Sequence, residues 1–242
     1  MQKNYKNSKI GFLHLTGIIL NVKNYCKTAG NKLKDFTVPI NSGASITGIF
    51  PIPVYKKNIG RKFTDAELKA SQPEAWHLRP GSDNVRADTT SVLNSPAFFG
   101  LKKFIDTCLE DFLKEIMAPE TTCSLYATQS WINFNRKGDR HHQHFHSNSI
   151  VSGVFYLNTP GPGAITFNIP QRQPWHIQNT PNWWNMRKIR FPVSSGDLIL
   201  FMSDLEHGVE TQLHDETRVS LAFNTWFRGE IGSKEGLTYL SN

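Results

Sequence analysis

The chain has 242 residues, a formal charge of +7, 38% hydrophobic and 12% aromatic side chains, and 19% charged ones. That supply of apolar material suits one well-buried domain with decorations, and it excludes a disordered chain or a low-complexity array. The charge is local: residues 1–46 carry seven lysines against Asp35, a net +6, whereas the remainder sums to +1, so no nucleic-acid groove is expected on the folded body.

The three cysteines, Cys26, Cys108 and Cys123, are odd in number and widely spaced. They suit neither a disulfide framework nor a cysteine-based zinc site, and a reducing, cytoplasmic compartment is expected. No apolar run approaches the ~20 residues of a membrane-spanning helix, so no membrane partner is expected. The segment Ile10–Val22 follows three lysines with the charge layout of a signal peptide. His14, Thr16 and Asn21 dilute it, and no A-x-A site follows.

Taken in chain order, residues 1–46 read as a basic extension of unassigned role and 47–242 as the domain. The stretch Thr47–Tyr55 has the β-branched character of an entering strand interrupted by prolines. Residues 56–94 read as polar and irregular, punctuated by Pro73, Pro80 and Gly81. A helix should begin at Ser95–Pro96, a good cap followed by proline in the first turn. Leu101, Ile105, Cys108, Leu109, Phe112 and Ile116 recur at helical spacing and make one apolar face for a sheet, and Pro119 ends it.

From residue 121 the pattern becomes β-rich: 121–135, 149–158, 163–169, 188–193, 197–203 and 217–227 are runs bounded by turn residues. In the last, Val219, Leu221 and Phe223 should face one way and Arg218, Ser220, Ala222 and Asn224 the other. The expected fold is mainly β with helical backing (α+β), an antiparallel sandwich or jelly roll. Between Thr159 and Met186 lies a proline-rich segment with Trp175, Trp183 and Trp184. It reads equally as a lid over a pocket or as a surface arm packing its tryptophans on the barrel.

Four histidines, His141, His142, His144 and His146, lie within six residues between two of these strands. On an extended backbone His144 and His146 point to one side and can share a metal ion. His207, which follows the strand DLILFM, is the best candidate for a third ligand. Imidazole suits iron, zinc, copper and nickel alike. Arg218 lies eleven residues further on, with Ser220 on its face. An inward guanidinium would be costly unless it met an anion, and its planar fork suits a carboxylate.

The blocks GDRHHQHFHSNSIVSGVFYLNTP, SSGDLILFMSDLEHGVE and TRVSLAFNTW resemble an uncharacterised 2-oxoglutarate–iron(II) oxygenase family of bacteria and marine phages. The segments FPIPVY and SWINFNRKGD do so as well, and the likeness spans about residues 47–227. It implies a double-stranded β-helix (a cupin-like jelly roll), with His144, His146 and His207 as catalytic metal ligands for Fe(II). It further implies that Arg218, helped by Ser220, holds 2-oxoglutarate as co-substrate. Tyr156 is added as a contact of the co-substrate and Asn133, with Asn135, as a residue of the same cavity. The reaction implied is hydroxylation by O2 of a small-molecule or peptide substrate, with release of succinate and CO2.

The wider superfamily places a carboxylate where this chain has His146, so Asp139, Asp204 or Glu206 could join the metal, and His142 competes as a ligand. Two other readings stand beside this one. A cupin-type enzyme with another metal fits Gly138 and His144-x-His146, but no Glu follows His146 at the cupin spacing. In a non-enzymatic β-sandwich, such as a phage structural or binding module, His144, His146, His207 and Arg218 need not converge.

Overall fold

The computed structural model describes residues 37–39, 42–81, 83–169 and 177–242. The chain divides into two compact units, 1–52 and 53–242. In the first, β1 (Thr37–Pro39) pairs antiparallel with β2 (Ser45–Thr47). The segment Ile10–Val22, Cys26 and most of the basic extension lie outside the described residues.

The second unit is built on two antiparallel sheets. The larger runs in the order β3 (Val54–Asn58), β11 (Asp197–Met202), β8 (Val151–Asn158), β13 (Arg218–Ile231), β6 (Cys123–Asn135), β5 (Val85–Ala87) and β4 (Leu78–Pro80), with β14 (Leu240–Ser241) on the far end of β13. The smaller runs β10 (Lys188–Val193), β9 (Gly163–Asn168), β12 (Glu206–Val209) and β7 (His141–His144). From β7 to β13 the chain passes back and forth between the two sheets, which is the jelly roll expected from the strand pattern and the double-stranded β-helix that the family resemblance implies.

Side-chain alternation assigns the layers. In β11, Leu198 and Leu200 enter the core cluster that also holds the helix residues Leu101, Ile105, Leu109 and Phe112, while Ile199 and Phe201 turn into the cluster between the sheets. Both faces of β11 are thus buried, which is why it reads as an unbroken apolar run. In β13, Val219, Leu221 and Phe223 join the helix-side core. Phe223 sits opposite Gly153, where a Cβ would come within 2.0 Å of its ring, so only glycine admits the ring there.

Helix α2 (Phe99–Phe112) supplies that outer core, and Cys108 is buried in it. Ser95 caps a 3₁₀ turn, Pro96–Phe98, that runs straight into the helix, and no side-chain capping bond forms. The last turn widens over Leu113–Met117 and ends at Ala118, in the left-handed region at φ 45°, just before Pro119.

The expectation for 56–94 is corrected. The strand foreseen over Thr47–Tyr55 starts at Val54 and runs to Asn58. Helix α1 (Asp65–Ala70) follows, held by a capping box in which Thr64 and Glu67 each bond the other's backbone N–H. The β4–β5 hairpin comes next and extends the larger sheet beyond β6. These short elements carry too few periodic positions to stand out, though the T-x-x-E motif at Thr64 was a legible sign of α1. Among the described residues no helix is long and apolar enough to cross a membrane. In the proline-rich segment, Trp175 lies outside the described residues, whereas Trp183 is 70% exposed and Trp184 42%.

Candidate metal centre

Two neighbouring strands of the smaller sheet set the histidines. His207 of β12 faces His144 of β7 across the ladder. A register shift follows, and Gly208 permits the close approach: a Cβ there would fall 2.9 Å from the His141 carbonyl. His146 lies just past β7, and its backbone N–H donates to the Ser203 carbonyl at the end of β11, 2.9 Å away. The ligand atoms of His144, His146 and His207 then lie within 4.8 Å of one another.

Hydrogen bonds orient all three rings. The Nδ1 of His144 lies 2.9 Å from the His142 carbonyl, and that of His207 lies 2.9 Å from the Leu205 carbonyl. A carbonyl only accepts, so each Nδ1 carries the proton and each Nε2 presents a bare lone pair. The Nδ1 of His146 is held by Asn224 Oδ1, which Ser152 Oγ also approaches. His144 Nε2 and His146 Nε2 stand 3.0 Å apart. Two lone pairs facing at that distance repel unless a cation lies between them, and adjacent ligands ~2.1 Å from one ion are spaced about this far. The residues therefore fit a metal ion. Trp131 stacks on the His146 ring, and Phe201 meets His207 edge-on.

Burial keeps these rings neutral, the form a metal needs. It pulls His207 down to about 3, with the neighbouring histidines adding to the effect. His144 and His146 are lowered for the same leading reason.

The four residues read as co-substrate contacts, Arg218, Ser220, Tyr156 and Asn133, line one cavity with the three histidines. Strand register explains the grouping, because Ser220 of β13 pairs with Asn133 of β6 on one side and Tyr156 of β8 on the other. Arg218 is buried to 6% exposure and makes no ion pair among the described residues. Its guanidinium lies 5.1 Å from the Tyr156 ring centroid, and both Arg218 Nε and the Tyr156 hydroxyl are buried without a hydrogen-bond partner. Buried orphans of this kind are rare, and here they share a wall of the cavity. They are the groups an anionic carboxylate would satisfy. Asn135 lines the same cavity, its amide 3.5 Å from the Arg140 carbonyl.

The remaining candidates fall elsewhere. Among the described residues no carboxylate joins the histidine group. Asp139 closes a turn by accepting from the Arg136 N–H, and Asp204 is exposed. Glu206 alternates with His207 on β12 and so points to the opposite face. His142 is engaged by Asp83, through both its ring and its backbone N–H. Three residues of the site escaped the sequence reading: Asn224, Trp131 and His141. Asn224 shares its strand face with Arg218 and Ser220, which was the available signal. His141 reaches the cavity only through the register shift in β7, which no spacing rule reveals.

Residues 129–224 match the model of a protein family described as "Putative 2OG-Fe(II) oxygenase". That segment, less than half of the chain, is similar to the 2OG-Fe(II) oxygenase family. All three histidines, Arg218 and Asn224 fall within it. No curated protein matches the chain. Among solved structures, the chain resembles SnoN, a non-heme alpha ketoglutarate dependent epimerase from nogalamycin biosynthesis, at 13% identity and TM-score 0.51, over 72% of this chain and 78% of that one. It resembles the carbocyclase SnoK of the same biosynthesis at 13% identity and TM-score 0.50, over 72% and 79%. HygX from Streptomyces hygroscopicus, with nickel and 2-oxoglutarate bound, is similar at 15% identity and TM-score 0.48, over 72% and 82%. At such identities the likeness to SnoN and SnoK speaks for the shared fold, which agrees with the strand order found here.

Proposed function

We propose that this protein is a 2-oxoglutarate- and Fe(II)-dependent dioxygenase that hydroxylates a C–H bond of a small molecule or peptide. One observation carries the reading: three bare imidazole lone pairs and an unpaired buried arginine open into the same cavity. His144, His146 and His207 would hold iron(II). Arg218 would grip the far carboxylate of 2-oxoglutarate in a two-pronged bond, with Ser220 and the Tyr156 hydroxyl able to donate alongside. Bound there, iron with 2-oxoglutarate and O2 supplies an oxidant that places one oxygen atom in the substrate C–H bond and the other in succinate, with loss of CO2. The chain's own part is to fix the ligand tautomers, to hold the co-substrate and to keep water from the reacting bond behind Ile165, Phe201 and Val154.

Nucleic acid and membrane are not partners in this reading. The compartment is the cytoplasm, in keeping with Cys108 and Cys123 both being free thiols.

The test is an anaerobic titration with iron(II) and then 2-oxoglutarate, following the visible charge-transfer band of a chelated 2-oxo acid. The expected result is a band in the wild type that weakens in Arg218→Ala and is lost in His207→Ala. Tight metal binding with no band sinks the co-substrate assignment. Once a substrate is in hand, succinate and hydroxylated product should form one for one; product without succinate would refute the coupled reaction.

A further inference from the structure

Beyond Arg218, the chain places a second cationic feature beside the metal centre. The ladder registers line up one transverse row across the larger sheet: Tyr156 opposite Ser220, Ser220 opposite Asn133, Asn133 opposite Arg86, and Arg86 opposite Arg79. Cross-strand partners share a face, so the row that starts at the co-substrate wall continues outward onto two arginines. Strands lie ~4.8 Å apart, which puts Arg86 one strand and Arg79 two strands beyond Asn133.

Both arginines line an open groove with Trp131, Asn133, His144 and His146, next to the histidine triad. Its volume is about 400 Å³, in the range of a small-molecule site. No acidic side chain lines it. Arg79 reaches Asp88 at 3.3 Å in a half-exposed pair. Arg86 is half-buried, and its side chain makes no hydrogen bond or ion pair with another described residue. Like charges placed directly opposite on adjacent strands destabilise a sheet. This pair is nevertheless held in place, because Asp83 in the β4–β5 turn accepts from the His142 backbone N–H and meets its ring at 3.1 Å. The hairpin that carries the arginines is therefore tied to the strand that carries His144.

We propose that the groove is the substrate site and that it takes a small anionic molecule. Arg86, seconded by Arg79, binds the substrate's carboxylate or phosphate group, and the molecule's body lies along Trp131 toward the histidines. This rests on the oxygenase reading for what happens to the substrate, but not for the binding itself. Trp131 already stacks on His146, so a substrate against its exposed edge is brought beside the ligand set. An anion here also offsets the like charge of two arginines paired across adjacent strands, and Arg supplies the planar fork that such groups match.

The test is equilibrium binding by calorimetry to protein loaded with Mn(II) and saturated with 2-oxoglutarate, so that Arg218 is already occupied. The probes are phenylacetate, phenyl phosphate and the neutral phenylacetamide. At least one anion should bind and the amide should not, and Arg86→Gln should weaken that anion by about 10- to 100-fold. Arg86→Lys should recover part of the loss, and thermal unfolding of each variant guards against misfolding. The stronger of the two anions identifies the acid group. Binding of the amide as tight as that of the anions, an Arg86→Gln affinity equal to the wild type, or no binding of either anion overturns the proposal. The saturation step separates the two readings: failure of 2-oxoglutarate to bind the Mn(II) protein counts against the oxygenase reading, while an Arg86-dependent anion still supports this one.

Discussion

The two faces of strand β13 divide the molecule's tasks. On one, Val219, Leu221 and Phe223 are buried among the side chains of α2 and β11 and have no polar atom to satisfy. On the other, Arg218, Ser220 and Asn224 stand in or beside the cavity, one with an orphaned nitrogen and one holding a metal-ligand candidate. Successive residues thus serve opposite ends, the first set burying apolar area and the second retaining unspent hydrogen-bonding and charge. Polar groups left unsatisfied cost stability, so the first face must offset the second. A site can be kept ready for its ligands because a packed core lies one side chain away.

Four experiments would break or sharpen that division. Phe223→Ala should have the largest effect, a loss of about 3–5 kcal/mol in denaturant unfolding, since it empties a fully buried ring position over Gly153. Metal affinity measured on the folded fraction should stay unchanged; a parallel loss of both would show that the faces are not separable. His207→Ala should act in the reverse sense. Anaerobic equilibrium dialysis should find iron(II) affinity reduced more than ~100-fold, beyond what removing an outer hydrogen-bond partner does, with the strand content of the circular dichroism spectrum retained.

Arg218→Gln should lower 2-oxoglutarate affinity by about 10- to 100-fold. Stability without the co-substrate should be equal or higher, because the variant removes a buried charge with no ion-pair partner. A clear loss of stability would mean that the guanidinium is a structural group. The smallest effect concerns pH. Burial holds His207 at about 3, below the ordinary imidazole value of ~6.5, so the unfolded chain binds a proton that the folded site refuses. Its contribution is fully present above pH ~6.5 and is lost as pH falls toward about 3. Metal-free protein should lose about 1–2 kcal/mol from this residue between pH 7 and 5. His207→Ala should flatten that slope in thermal unfolding, and an unaltered slope would place the acid sensitivity elsewhere.

Periodicity carried much of the fold. Period-two alternation in residues 218–224, the apolar run of β11 and the 3.6-residue face of α2 are local properties, because each reports only which side of an element meets water. The same holds for His144 and His146, whose spacing made them a pair, and for the order of His207, Arg218 and Ser220. What the chain could not state by itself depends on which strands become neighbours. The β7 bulge brings His141 into the cavity and leaves His142 to Asp83, and it forms only when Gly208 meets β7. Asn224 becomes the partner of His146 only because the middle of β13 comes to lie against the loop after β7. Arg79 and Arg86 read as polar residues in an irregular stretch, and only their register with Asn133 and Ser220 turns them into one row leading to the histidine triad. Local pattern decides the face a residue takes; hydrogen-bonded register between distant segments decides what it faces, and that is fixed only when the sheets close.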